Sequence, residues 1–196
     1  MTSADFHVIY LHGFLSSPDS KKARQTVEYF RERGLADRLT VPELSAGPKA
    51  SICQVQGLID ELQDRRVCLI GSSLGGFYAT CLAESNGLRA VVINPAVRPF
   101  LRWREYLGEH RNYYSNAVHH VTEQHVEELH DLDIVKLEKP ENLLLLAQTG
   151  DEVLDYRLAE ALYQMGTCII QEGGNHSFDN YADFLPIIFN FLAIKN

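Results

Sequence analysis

The sequence predicts an α/β fold: six strands in a parallel sheet, helices on both faces, and a small helical lid inserted between two strands. Three observations predict it. The strand candidates, such as residues 67–70 and 143–147, are continuous apolar runs rather than alternating ones, so both faces of the sheet are buried. Segments with helical apolar spacing separate them, which is the order of βαβ units. The residues able to do chemistry fall just beyond the carboxyl ends of the strands, where such sheets bind ligands.

Residues 6–11 form the first strand, closed by His12 and Gly13. Ser17 as N-cap and Pro18 at the first helical position open a helix that runs to Arg33 and stops at Gly34. Residues 39–41 make a short strand ended by Pro42. Ile52, Val55, Leu58, Ile59 and Leu62 share one face of a helix over 50–62. Strand 67–70 leads through Gly71-Ser72-Ser73-Leu74-Gly75 into a helix over 74–85, stopped at Asn86-Gly87. Strand 89–94 is closed by Pro95; strand 143–147, a helix over 156–165 and strand 167–170 follow. The segment 181–194 is a helix with one strongly apolar side, and Pro186 within it predicts a kink or a late start.

Residues 98–140 break this alternation. They hold no convincing strand, carry Trp103, Tyr106, Tyr113 and Tyr114, and contain five of the eight histidines. A helix over 122–132, with Thr122 as N-cap, makes the segment a lid. No repeat or linker divides the chain, so residues 1–196 read as one domain.

Composition narrows the class. The chain has 196 residues, 45% apolar and 22% charged, enough for a sizeable core. A net charge of −8 argues against a nucleic-acid surface and against anionic lipid. Cys53, Cys68, Cys81 and Cys168 form no C-x-x-C pair and read as small buried residues in a reducing compartment. Residues 1–5 lack a secretory leader's basic and apolar regions, and no run approaches the ~18 apolar residues of a membrane span. These features predict a cytoplasmic enzyme or binding protein that acts on a small molecule, with no obligate protein partner evident.

Strand, Gly-x-Ser-x-Gly, helix is the context of a nucleophile elbow, which presents Ser73 at a helix N-terminus. A serine hydroxyl needs a base within hydrogen-bond reach, and the base needs an orienting acid. His176, in the glycine-bearing loop 173–178 after the last strand, is the best base; a loop histidine with no task is the alternative. Asp151, directly after strand 143–147, is the best acid, with Glu152 and Asp155 as competitors that could instead cap the helix near Tyr156. For the oxyanion, the Leu74 N–H and the Phe14 N–H are the expected donors, with Leu15 second to Phe14. Gly13 allows close backbone approach, and the His12 ring braces the loop by hydrogen bonding, so both belong to the substrate-facing loop. Arg98 is placed to hold an acidic substrate group, or else pairs with a carboxylate of the lid. His119, His120, His125 and His130 lie one, five and five residues apart, a spacing that does not make a metal site. No cofactor is called for.

Tyr10-Leu11-His12-Gly13-Phe14, Gly71-Ser72-Ser73-Leu74-Gly75-Gly76, Asn94-Pro95, Thr149-Gly150-Asp151-Glu152 and Gly174-Asn175-His176 resemble the motifs of small α/β-hydrolases. They are most similar to the bacterial esterases of the YqiA/YcfP type. The resemblance spans nearly the whole chain and matches at each triad position. It implies a compact hydrolase with a six- or seven-stranded core, and hydrolysis of esters or thioesters, including acyl-CoA and short nitrophenyl esters. Acyl transfer or peptide cleavage on the same triad, or a binding protein on a hydrolase fold, are the alternatives.

Overall fold

The structure, a computed structural model, describes residues 5–62, 64–115 and 117–192. The expectation of no leader therefore falls mostly outside the described residues, as does the end of the helix expected to reach residue 194.

The first strand, β1 (Phe6–Leu11), is followed by α1 (Lys21–Glu32), β2 (Leu39–Thr40) and α2 (Pro48–Glu61). Then come β3 (Arg66–Ser72), α3 (Leu74–Asn86) and β4 (Arg89–Ile93). Beyond β4 the chain forms α4 (Phe100–Trp103), β5 (Gly108–Arg111), β6 (Val118–Val121) and α5 (Glu123–Asp131). It returns to the sheet with β7 (Leu143–Gln148), α6 (Tyr156–Tyr163), β8 (Thr167–Gln171) and α7 (Tyr181–Phe191). Six strands pair in the order β2-β1-β3-β4-β7-β8, every pair parallel.

Burial on both faces explains the apolar runs. Along β1, Ile9 and Leu11 enter one core with Val55, Phe77, Leu82 and Tyr163, while Val8 and Tyr10 enter the other with Phe30, Tyr181 and Ile188. So α2, α3 and α6 cover one face, and α1 and α7 cover the opposite one. Among the described residues no helix is long and apolar enough to cross a membrane.

Several local expectations are corrected. Helix α1 starts at Lys21, not Pro18, because residues 17–20 form a turn: Ser17 Oγ accepts the Asp19 N–H at 3.1 Å, and Ser17 O accepts the Ser20 N–H at 3.1 Å. Pro48 opens α2 two residues earlier than its apolar spacing suggests. Pro186 neither delays nor ends α7, which begins at Tyr181 and carries the proline inside it. Cys53 is exposed, and Cys168 is only partly buried. The segment between β4 and β7 contains an antiparallel hairpin, β5–β6, paired from Gly108↔Val121 to Arg111↔Val118. Its strands read Gly-Glu-His-Arg and Val-His-His-Val and are largely exposed, so no apolar run announced them.

Two glycines give opposed stability predictions. A Cβ on Gly75 would collide with the carbonyl oxygens of Leu11 and His12, since α3 begins almost in contact with the end of β1. Gly75→Ala is expected to cost about 3 kcal/mol by overpacking. Gly57 lies inside α2 with nothing within 4 Å of such a Cβ. Gly57→Ala is expected to add about 0.5–1 kcal/mol through helix propensity. Urea denaturation of the two variants should move the midpoint in opposite directions.

Candidate active site

Ser73 occupies the single residue between β3 and α3, with φ 56° and ψ −122°. Such a backbone is unfavourable for a residue with a Cβ and persists only where surroundings over-determine it. Here they do. The Ser73 N–H donates to Ile93 O at 3.0 Å, and Ser73 O accepts from the N–H groups of Gly76, Phe77 and Ala96 at 2.9, 3.3 and 3.0 Å. The side chain is thereby projected from the carboxyl edge of the sheet. The loop after β1 closes on it: a Cβ at Gly13 would lie 3.1 Å from Ser73 Cβ.

Two further loops bring their side chains to Ser73. His176 Nε2 lies 3.1 Å from Ser73 Oγ. His176 Nδ1 lies 2.8 Å from Asp151 Oδ2 and 3.0 Å from Oδ1. The Asp151 side chain is 2% exposed and that of His176 is 24% exposed. Asp151 Oδ1 also accepts the N–H groups of Val153 and Leu154, both at 2.9 Å, which fixes the carboxylate plane. With Nδ1–H donating to Asp151, Nε2 is left to accept from the Ser73 hydroxyl. The two competing acids have other partners. Glu152 Oε2 accepts the His176 backbone N–H at 2.9 Å, which holds its carboxyl below the usual range. Asp155 caps α6, accepting the Arg157 N–H at 3.0 Å.

The N–H groups of Phe14 and Leu74 donate to no acceptor among the described residues. Leu74 is the first residue of α3, where a helix leaves its N–H groups unpaired. His12 is buried and ties its own loop to the segment between β2 and α2. Nδ1 lies 3.0 Å from Gly13 O, and Nε2 accepts the Leu44 N–H at 3.2 Å. Burial lowers its pKa, so the ring is neutral as it braces the loop, and it lines the cavity beside Ser73. Arg98 pairs with the lid: its Nε donates to Asp133 Oδ2 at 3.1 Å, so Asp133 takes the place expected of a substrate acid. Among the described residues, no group of three His, Cys, Asp or Glu side chains is arranged to hold a metal ion.

Two residues carry structure the sequence analysis did not assign. Asn94, at the end of β4, donates through Nδ2 to the carbonyls of Asn175 and His176 at 3.0 and 3.2 Å. Its Oδ1 accepts the Gln148 N–H at 2.9 Å. The fully buried Gln148 accepts the N–H groups of Asn175 and Asp179 through Oε1, at 3.1 and 2.8 Å. Together they hold the His176 loop against the sheet. The available signal was a polar residue closing each of two apolar runs, 89–94 and 143–148.

Two cavities meet at Ser73 and His176. The apolar one, about 370 Å³, runs between Leu74, Pro95, Trp103, Tyr106, Leu154 and Leu158. Phe14 forms part of its wall, its ring 4.8 Å from Trp103 and 5.9 Å from Tyr106. The other, about 180 Å³, is the more polar of the two and lies toward the start of α1. The β5–β6 hairpin is pinned over this junction. The Tyr113 N–H donates to Leu15 O at 3.1 Å, and Asn112 Nδ2 donates to Ser16 O at 2.8 Å.

Comparison with known proteins identifies the family and the fold. A model of the uncharacterised protein family UPF0227 matches residues 7–193. The UPF0227 protein YcfP of Salmonella paratyphi A is 25% identical over 193 residues, covering 95% of this chain and 99% of that protein. Among solved structures, α/β-hydrolase domain-containing protein 10 from mouse superposes with a TM-score of 0.75 at 16% identity, covering 95% of this chain and 89% of that one. A Xanthomonas campestris protein described as an α/β serine hydrolase without lid gives 0.61 at 16% identity, covering 98% and 83%. The fold is that of the α/β-hydrolases.

Proposed function

The chain belongs to the uncharacterised family UPF0227, and from its site we propose that it is a serine hydrolase that cleaves carboxylic esters or thioesters through an acyl-enzyme. The observation that carries this reading is the unbroken hydrogen-bond chain from Ser73 Oγ through the His176 ring to Asp151. Ser73 attacks the substrate carbonyl while His176 Nε2 takes its proton, and Asp151 stabilises the resulting imidazolium. The Phe14 and Leu74 N–H groups receive the oxyanion; losing one such donor typically costs about 3 kcal/mol of barrier. His176 returns the proton to the leaving oxygen or sulfur. A water, activated by the same ring, then releases the acid.

The apolar cavity takes the acyl chain, and its size is that of an ordinary small-molecule site. Residues 98–140 act as the lid that shapes it. The mouse and Xanthomonas neighbours support the reading through their fold. The free thiols of Cys53, Cys68, Cys81 and Cys168 fit a reducing, cytoplasmic location.

A series of 4-nitrophenyl esters, from acetate to dodecanoate, tests this function. The protein is expected to turn over the short and medium esters. Trp103→Ala, which opens the cavity wall, should shift the preferred acyl chain toward greater length. Absence of turnover across the whole series, and across the matching acyl thioesters, would reject the proposal.

A further inference from the structure

We propose that the smaller cavity beside Ser73, on the side of α1, is a subsite for a compact leaving group that carries a carboxylate. This deepens the hydrolase reading above and rests on it. The cavity is lined by Tyr10, Ser16, Ser20, Lys21, Lys22 and Ser177, together with the site residues and the tyrosines of the hairpin. Its lining includes two lysines and no carboxylate, in a chain of net charge −8. The carboxylate that attracts Lys22, Asp151, lies outside this lining and spends its oxygens on His176 and on the N–H groups of Val153 and Leu154, so the cavity itself presents positive charge to an anion.

Three features point to a ligand rather than to a chance surface. Tyr10 is 1% exposed, lines this cavity, and donates its hydroxyl to no acceptor among the described residues. Burial keeps that phenol protonated, so it remains a donor. Lys22 Nζ donates to Ser177 O at 2.9 Å and has two N–H bonds left for a bound anion. Burial lowers the Lys22 amine to about 8, an environment in which a bound anion would restore the lost solvation. Ser20, Lys21 and Lys22 also place the N-terminus of α1, whose cap side chain makes no hydrogen bond to it, at the cavity wall.

Position assigns the cavity to the leaving group. Lys22 is bonded to the residue directly after His176, and His176 must deliver its proton to the departing oxygen. As the carbonyl C–O bond breaks, the proton taken from Ser73 passes to that oxygen, and the alcohol departs with its carboxylate still ionised. A cavity of about 180 Å³ puts the charge within a few bonds of the scissile oxygen.

The test compares 4-nitrophenyl butyrate with the butyrate ester of 4-hydroxybenzoate. The ratio of kcat/KM for the charged ester to that for the neutral one should fall at least ten-fold in Lys22→Gln, and less in Tyr10→Phe. Lys22→Arg, which keeps the charge, should hold the ratio within about three-fold. In parallel, calorimetry on Ser73→Ala should show 4-hydroxybenzoate binding at least ten-fold more tightly than 4-hydroxybenzamide, with the difference lost on adding Lys22→Gln. Turnover of the neutral ester with an unchanged ratio in Lys22→Gln would overturn the subsite and leave the hydrolase reading standing. Carboxylate binding that needs Lys22, without turnover of either ester, would overturn the hydrolase reading and keep the site.

Discussion

Ser73→Ala is expected to lower kcat for ester hydrolysis by about 10⁵–10⁶-fold, because residues that act as one proton relay fail together when any central member is lost. The substitution removes one oxygen and no backbone contact. The unusual turn is held by main-chain bonds, to Ile93 O and from Gly76, Phe77 and Ala96, and all of these survive. Stability in urea should therefore stay within about 1 kcal/mol of the parent, since the one bond lost, between Ser73 Oγ and His176 Nε2, is worth about that much. A variant that still turned over 4-nitrophenyl butyrate at the parent rate would remove Ser73 from the chemistry.

Asp151→Asn is expected to reduce kcat on the order of 10⁴-fold with little change in KM. The physical reason is specific to this site. Oδ1 of Asp151 is already committed to the N–H groups of Val153 and Leu154. An asparagine must keep its oxygen there and turn its NH₂ toward the His176 ring, where Oδ2 now sits 2.8 Å from Nδ1. The ring then presents Nδ1 as acceptor and Nε2–H toward Ser73, the wrong tautomer for a base. Glu152→Gln offers the contrast. Glu152 accepts the His176 backbone N–H and lies against its own, and a neutral oxygen can still accept such bonds. Its kcat should fall no more than about ten-fold. Steady-state kinetics of the two variants separates an acid that sets the tautomer from one that positions the loop.

The sheet was legible because its strands are buried on both faces. Val8, Leu69, Val91 and Leu145 are each almost fully enclosed, so evolution could place only apolar residues there and the runs are unbroken. The elbow was legible for a steric reason: Gly71 and Gly75 sit where β3, α3 and the end of β1 approach within a methyl group of one another. Ser17-Pro18 misled because a serine that caps a turn uses the same oxygen as one that caps a helix. The hairpin was hidden because, among the described residues, β5 and β6 pair only with each other and leave most of their positions exposed, so no apolar run marks them.

The candidate site was legible in its ends rather than in its supports. Ser73, Asp151 and His176 each follow a strand, and the topology β3-β4-β7-β8 brings those ends to one edge. Asn94 and Gln148 are different. Their amides act on the backbone of the loop 175–179, and a side chain that binds backbone leaves no pairing pattern in the sequence. Arg98 shows the same limit, since the sequence does not reveal that Asp133 lies 35 positions away within hydrogen-bond reach.

The most direct test of the proposed chemistry is reaction with a fluorophosphonate, followed by peptide mass spectrometry. A relay joining Ser73, His176 and Asp151 predicts one adduct per chain, on Ser73, formed rapidly in the parent protein and lost in His176→Ala. An unlabelled parent protein, or an adduct on any other residue, would contradict it.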